Sequence, residues 1–140
     1  MSELKQKILA KLNVPNLAVL ATITEDGKPW ARYVMPFADQ NLTLWMATRL
    51  NTRKVGQIKK NPEVHVTAGC VDPQAGEPFL QIQGKAEVLT DAETRHRVWF
   101  DHLKAIFTGP DDPNFGVVKI TPYRIEYQPM GPGPADVWEP

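Results

Sequence analysis

Four side chains in one short stretch have the types needed to hold an anion: Thr48, Thr52, Arg53 and Lys54, in the order T-x3-T-R-K. The residues around them carry a helical pattern. Asn51 is a suitable N-cap, and Leu50 and Val55 are spaced as a hydrophobic staple about it. Lys59, Lys60, Asn61 and Pro62 supply the stop: cations in the last turn, a residue tolerant of left-handed backbone, then a breaker. The start of this helix breaks the usual charge rule. Arg53 and Lys54 stand at the positive end of the macrodipole, where acidic residues are favoured. Local rules are broken most often at functional sites. Free backbone N–H groups, a hydroxyl and two cations at one helix start suit a phosphate. The alternative is a solvated basic turn.

Arg32 bears on that choice. Residues 29–38 read as a strand with Trp30, Arg32 and Val34 on one face and Ala31, Tyr33, Met35 and Phe37 on the other. Both faces are largely apolar. A guanidinium there needs either an anion nearby or a route along the rim of the fold to water.

Taken together, Arg32-Tyr33-Val34 on one strand, Thr48 closing the next, Thr52-Arg53-Lys54 opening a short helix and Asn61-Pro62 ending it carry a likeness. The sequence resembles the pyridoxamine 5'-phosphate oxidase-like, FMN-binding split-barrel family, and within it the general stress protein-like subgroup. The motif covers a minor part of the chain, and the order of the remaining elements extends the likeness to most of it. The resemblance implies that Arg32, Thr48, Thr52, Arg53 and Lys54 hold the phosphate of FMN, while Tyr33, Val34 and Met35 line its ring. It implies a homodimer with a flavin at each of two interface sites. It also implies an FMN-dependent oxidoreductase acting on an unknown small molecule, with NAD(P)H as a candidate donor. No catalytic acid or base is identified. The alternatives are a non-catalytic flavin-binding, stress or sensor protein, or a relative holding deazaflavin or haem.

The departures from the family pattern are specific. Pyridoxamine phosphate oxidases carry Gln at the position aligned with Phe79 and Trp where this chain has Gln128. They also end in an R-x-H-x-R-like segment that has no counterpart here. Oxidation of pyridoxine phosphate is therefore not expected.

Elements that would position these residues follow from the rest of the chain. One hundred and forty residues suit a single domain over 1–140. Sixteen basic and sixteen acidic side chains cancel, which weighs against a dedicated nucleic-acid or membrane-surface binder. One cysteine, Cys70, excludes an intramolecular disulfide framework and fits a reducing compartment. The first residues are too charged for a signal peptide, and no apolar run approaches about 20 residues. A cytoplasmic protein is expected.

Residues 3–12 read as an amphipathic helix with Leu4, Ile8 and Leu12 on one face. Strands are expected at 16–24, 29–38, 42–48, 63–71, 79–89 and 115–128, with a hairpin at Asp26-Gly27 and a bulge near Thr121-Pro122. Leu44 and Met46 oppose Trp45 across their strand. Val64, Val66, Ala68 and Cys70 point inward, as do Leu80, Ile82, Gly84, Ala86 and Val88. Thr90 to Glu93 reads as a capping box opening the longest helix, to about Phe107, with Trp99, Leu103 and Ile106 on its apolar face. This order gives a mainly β (α+β) fold, a six-stranded antiparallel Greek-key split β-barrel with accessory helices. Closure is expected, because six short strands left open would expose two edges.

Other chemistry finds little support. His65, His96 and His102 do not fall at metal-ligand spacings and read as surface residues, so no metal is expected. Cys70 reads as a small core residue. Trp30, Trp45 and Phe37 lie on faces that one small barrel cannot all enclose, which favours a dimer. The tail, 129–140, is Gly/Pro-rich and reads as extended, either frayed or anchored by Trp138 over a flavin edge or a partner's surface.

Overall fold

In the computed structural model, residues 2–70 and 72–140 are described. Helix α1 (Glu3–Leu12) starts where the Ser2 hydroxyl accepts the Lys5 N–H at 3.1 Å, and it buries Ile8 and Leu12 as their spacing predicts. Strands β1 (Ala18–Ile23) and β2 (Pro29–Val34) form a hairpin around Gly27, whose φ of 79° only glycine adopts freely. Then follow β3 (Phe37–Ala38), β4 (Leu44–Arg49), α2 (Arg53–Lys60), β5 (Glu63–Ala68), β6 (Phe79–Leu89), α3 (Ala92–Val98), β7 (Phe115–Gln128) and β8 (Asp136–Trp138). All eight strands belong to one sheet in the order β2-β1-β5-β6-β7-β4-β3, with β8 on β7. Strand β7 gives β6 one of its edges along most of its length. It shares the other between β4, at 115–120, and β8, at 125–127.

The curled sheet wraps a core of Leu20, Val66, Leu80, Ile82, Ile120 and Ile125, capped by Ile8 and Leu12 of α1 and Ile58 of α2. Alternation placed these correctly on β5 and β6, where buried and less buried residues take turns. Fully burying each such side chain contributes about 1.5–3 kcal/mol.

Five expectations are corrected. First, the strand over 29–38 is broken between Val34 and Phe37, because Pro36 has no N–H to give a ladder. Its halves lie at opposite ends of the sheet order, so the ladder does not close: both free edges belong to one segment, and this is the split of the barrel. Second, among the described residues the strands number eight rather than six, because the broken segment supplies two and the tail pairs with β7 as β8. Trp138 packs against the main core of its own chain.

Third, the long helix is two pieces, α3 and a 3-10 turn at Asp101–Ala105. The break at Trp99 lets Val98, Leu103 and Phe107 all reach a second core with Trp45, Phe115 and Val117, while Ile106 is exposed. Asp91, not Thr90, caps α3, accepting the Thr94 N–H at 3.0 Å. Fourth, Trp45 is enclosed in that second core, and Phe37 packs against it. Of the three large aromatics expected to need a partner's cover, only Trp30 is exposed. Fifth, β5 ends at Ala68 because Gly69 turns with φ 93°, so Cys70 leaves the inward series and is half-buried. Val71, the expected end of that strand, lies outside the described residues.

The bulge is where it was expected. Gln83 opposes Arg124 and Gly84 opposes Pro122, which leaves Tyr123 without a partner on β6. A Cβ on Gly84 would stand 2.8 Å from Ile120 Cγ2 and 2.9 Å from the Thr121 carbonyl oxygen, so the corner depends on glycine. Gly84→Ala should therefore destabilise the protein by about 1–3 kcal/mol, the usual range for overpacking, read from the urea midpoint. An unchanged midpoint would refute the steric account.

Candidate functional site

Three elements converge at one end of the sheet: the free strand β2, the end of β4 and the start of α2. The turn from β4 into α2 is set by Arg49, whose carbonyl accepts both the Thr48 and the Thr52 hydroxyls at 3.0 Å. Thr52, not Asn51, is the N-cap, and no side chain caps the first turn. Asn51 instead faces Asn114. Leu50 lies against Gly116, where a Cβ would come within 2.3 Å of it, and with Thr52 as the N-cap Leu50 and Val55 no longer stand at the two staple positions. The helix therefore begins with N–H groups that have no side-chain acceptor, beside two cations. At the other end Asn61 is extended, with φ −138°, and its N–H bonds the Gln57 carbonyl.

Arg32, Arg49, Arg53 and Lys54 gather around this start. Lys54 Nζ donates to Thr48 Oγ1 at 2.8 Å. The Arg32 guanidinium donates to Thr22 Oγ1 at 2.7 Å, to Gln57 Oε1 at 3.0 Å and to the Trp30 and Leu20 carbonyls at 3.2 and 3.3 Å. Arg53 lies over the Trp30 ring, 4.9 Å from its centroid. Among the described residues none of the four cations forms an ion pair. Burial pushes the Lys54 ammonium below its ordinary value, and the charges of Arg32 and Arg49 push it further. Burial likewise lowers Arg32, with Arg53 adding to the effect. Such a cluster disfavours its own charge until an anion joins it.

Thr48, Arg32, Arg53 and Lys54 are thus brought together as the sequence suggested. The Thr52 hydroxyl is committed to the turn. Tyr33, Val34 and Met35 lie along and just beyond the free edge of β2, which pairs only with β1. Tyr33 is 74% exposed and Met35 49%, whereas Val34 leans on the core. The backbone N–H and C=O groups on that edge remain available. Arg49, Thr22 and Gln57 were not found from the sequence. Gln57 carried a weak signal, four residues after Arg53 and so on the same helix face.

Two of the concavities on the surface of the sheet bear on the site. One, of about 220 Å³, is polar and lined by His65, Gln81, Gln83, Arg124 and Glu126. His65 is half-buried rather than a surface residue; burial lowers its imidazole and Glu126 opposes that. The other, about 340 Å³, is bordered by Leu17, Tyr33, Cys70, Phe79 and Met130. Phe79 and Gln128, the two positions that depart from the oxidase pattern, are register partners across β6 and β7. The Gln128 amide is committed to the Pro129 and Gly133 carbonyls of the tail turn. Among the described residues no helix is long and apolar enough to cross a membrane, and no three His, Cys, Asp or Glu are grouped to hold a metal ion.

A family model described as pyridoxamine 5'-phosphate oxidase matches residues 4–129. The chain belongs to that family. It is similar to general stress protein 26 of Bacillus subtilis (strain 168), 34% identical over 92% of this chain and 91% of that protein. The crystal structure of general stress protein 26 from Bacillus anthracis str. Sterne superposes with a TM-score of 0.84 at 29% identity, covering 99% of both chains. The likeness to the pyridoxine/pyridoxamine 5'-phosphate oxidase of Escherichia fergusonii is 33% over 64% of this chain but only 40% of the oxidase. Membership of the family and the general stress protein-like subgroup are thereby established, with the split-barrel fold.

The electrostatics set a sign that can be checked. A lysine whose ammonium is disfavoured by the fold destabilises it wherever both folded and unfolded forms are charged. That penalty fades as pH rises through the lowered folded value toward the unfolded one. Ligand-free Lys54→Met should accordingly melt at or above the wild-type temperature at pH 7, as stability–function trade-offs run. A melting temperature lower by several degrees would mean that Lys54 is structural.

Proposed function

We propose that the chain binds FMN through this cluster and works as an FMN-dependent oxidoreductase on a small molecule, as a homodimer with a flavin at each of two interface sites. The observation that supports it best is the group of four cations without a carboxylate at the uncapped start of α2, beside the free edge of β2. A phosphate monoester supplies the missing charge, and an edge strand supplies N–H and C=O partners for a flat heterocycle. Lys54, Arg53 and Arg32 would hold the phosphate, with Arg49 adding its field, and Tyr33, Val34 and Met35 would border the ring. The flavin, when bound, supplies hydride and electron transfer. The protein's own residues bind, orient and exclude water.

The dimer reading is supported by apolar residues left in water, Tyr33, Met35, Leu17 and Met130, three of which border one cavity beside β2. Pyridoxine phosphate as substrate is disfavoured. Phe79 and Gln128, which are register partners across β6 and β7, replace the Gln and Trp of the oxidase pattern.

Freshly purified protein should show the two-banded absorption of an oxidised flavin; a deazaflavin or haem spectrum would overturn the cofactor assignment. FMN should bind more tightly than riboflavin. Lys54→Ala should weaken FMN by roughly 1.5–3 kcal/mol while leaving riboflavin nearly unchanged, because it removes a charged hydrogen bond. Equal losses for both ligands in a fluorescence titration would contradict the phosphate assignment. Light scattering should report a dimer at micromolar concentration, consistent with an interface of at least the standard size of about 1,600 Å².

A further inference from the structure

We infer that Thr22 and Gln57 are positioning residues for the anion site, fixing Arg32 by neutral acceptors so that its whole charge stays available to the phosphate. The inference rests on the FMN reading above and deepens it. Among the described residues Thr22 and Thr48 are the two buried polar side chains, 0% and 3% exposed, and each serves a cation of the cluster: Thr22 bonds Arg32 and Thr48 bonds Lys54. The Thr48 hydroxyl also holds the β4–α2 turn through the Arg49 carbonyl, whereas the short hydrogen bonds of the Thr22 hydroxyl go to Arg32 and Gln57; at a buried position an unpartnered hydroxyl would be costly.

Around Arg32 the network is cyclic. Thr22 Oγ1 accepts from the guanidinium at 2.7 Å and donates to Gln57 Oε1 at 2.5 Å. Gln57 Oε1 in turn accepts from the other terminal nitrogen of Arg32 at 3.0 Å. The guanidinium is thereby tied to both β1 and α2. Each link fixes the next, since the hydroxyl proton is directed to Gln57 and its lone pair is left to the guanidinium.

The chemistry of the tether matters as much as its position. A carboxylate at 57 would hold the guanidinium more strongly, through a charged pair, but would cancel a unit of positive charge and repel the phosphate. A carboxamide of the same shape holds it without doing either. Thr48 and the Leu20 and Trp30 carbonyls are neutral in the same way.

Two isosteric changes separate position from charge. Thr22→Val removes the hydroxyl; Gln57→Glu keeps the acceptor but adds a charge. Both should lower FMN affinity by about tenfold or more, the worth of one charged hydrogen bond, with riboflavin affinity changed less than about twofold. Thr22→Ser, which retains the hydroxyl, should restore it. A second arm needs no ligand: side-chain nitrogen NMR of Arg32 should give separate terminal N–H signals in the wild type and in Gln57→Glu, but averaged ones in Thr22→Val. If Thr22→Val folds poorly, Gln57→Glu, on the half-buried face of α2, carries the test alone. Unchanged FMN-to-riboflavin ratios in both variants would overturn the inference, as would averaged Arg32 signals in the wild type. A wild type that holds Arg32 rigidly yet prefers neither ligand would refute the FMN reading and leave the positioning role standing.

Discussion

Like charges held together without a counter-charge are the constraint on which the rest of this structure depends. Arg32, Arg49, Arg53 and Lys54 come from three separate elements, and each depresses or is depressed by a neighbour. Nothing in the described ion pairs relieves them, although the chain has sixteen carboxylates to offer. The acidic side chains are used elsewhere: Glu25 against Lys60, Glu126 and Glu139 around Arg124, Asp112 on the Thr108 and Asn114 amides. Repulsion of this kind is tolerated where surrounding structure over-determines the geometry. Here the over-determination comes from a sheet and a helix that fix the backbone, and from neutral hydroxyl, amide and carbonyl acceptors that fix the side chains.

The architecture follows from the need to present these groups together. A closed barrel would have paired the outer edge of β2. The break at Pro36 instead sends the first half of the segment to one edge of the sheet and the second half to the other. That leaves β2 with free backbone groups next to Arg32. Strand β4, locked against β7 over six register pairs, delivers Thr48 and Arg49 at its end. The tight turn that follows uses both threonine hydroxyls on one carbonyl, so α2 starts with its amides uncapped. A stronger N-cap would have made a more stable helix and would have occupied the amides that an anion could use.

How much of this could be read from the sequence depended on whether the cause was local. Arg53 and Lys54 stood out because they violate a rule within one helical turn, and Arg32 because a cation stood in an apolar strand. The inward series on β5 and β6 were legible because alternation is a local pattern. Thr22 was not, since a threonine in a β-branched run reads as ordinary strand, and Gln57 reads as a solvated helix residue. Both acquire meaning only when β1, β2 and α2 are placed together. The same holds for β8, whose Gly/Pro-rich surroundings hide a pairing with residues about ten positions earlier, and for the second core, which needed α3 to break at Trp99. Pro36 was the one available sign of the split strand.

On the reading proposed above, Arg32, Thr48, Arg53 and Lys54 would hold the phosphate, while Phe79 and Gln128 stand opposite each other on the paired ends of β6 and β7. The central claim concerns the phosphate, and phosphorus NMR of bound FMN tests it most directly. A free phosphate monoester takes its second proton near pH 6. In a site of four uncompensated cations the dianion is favoured, so the bound signal should stay constant from about pH 8 down to about pH 5. A bound signal that titrates near pH 6, as free FMN does, would contradict the account.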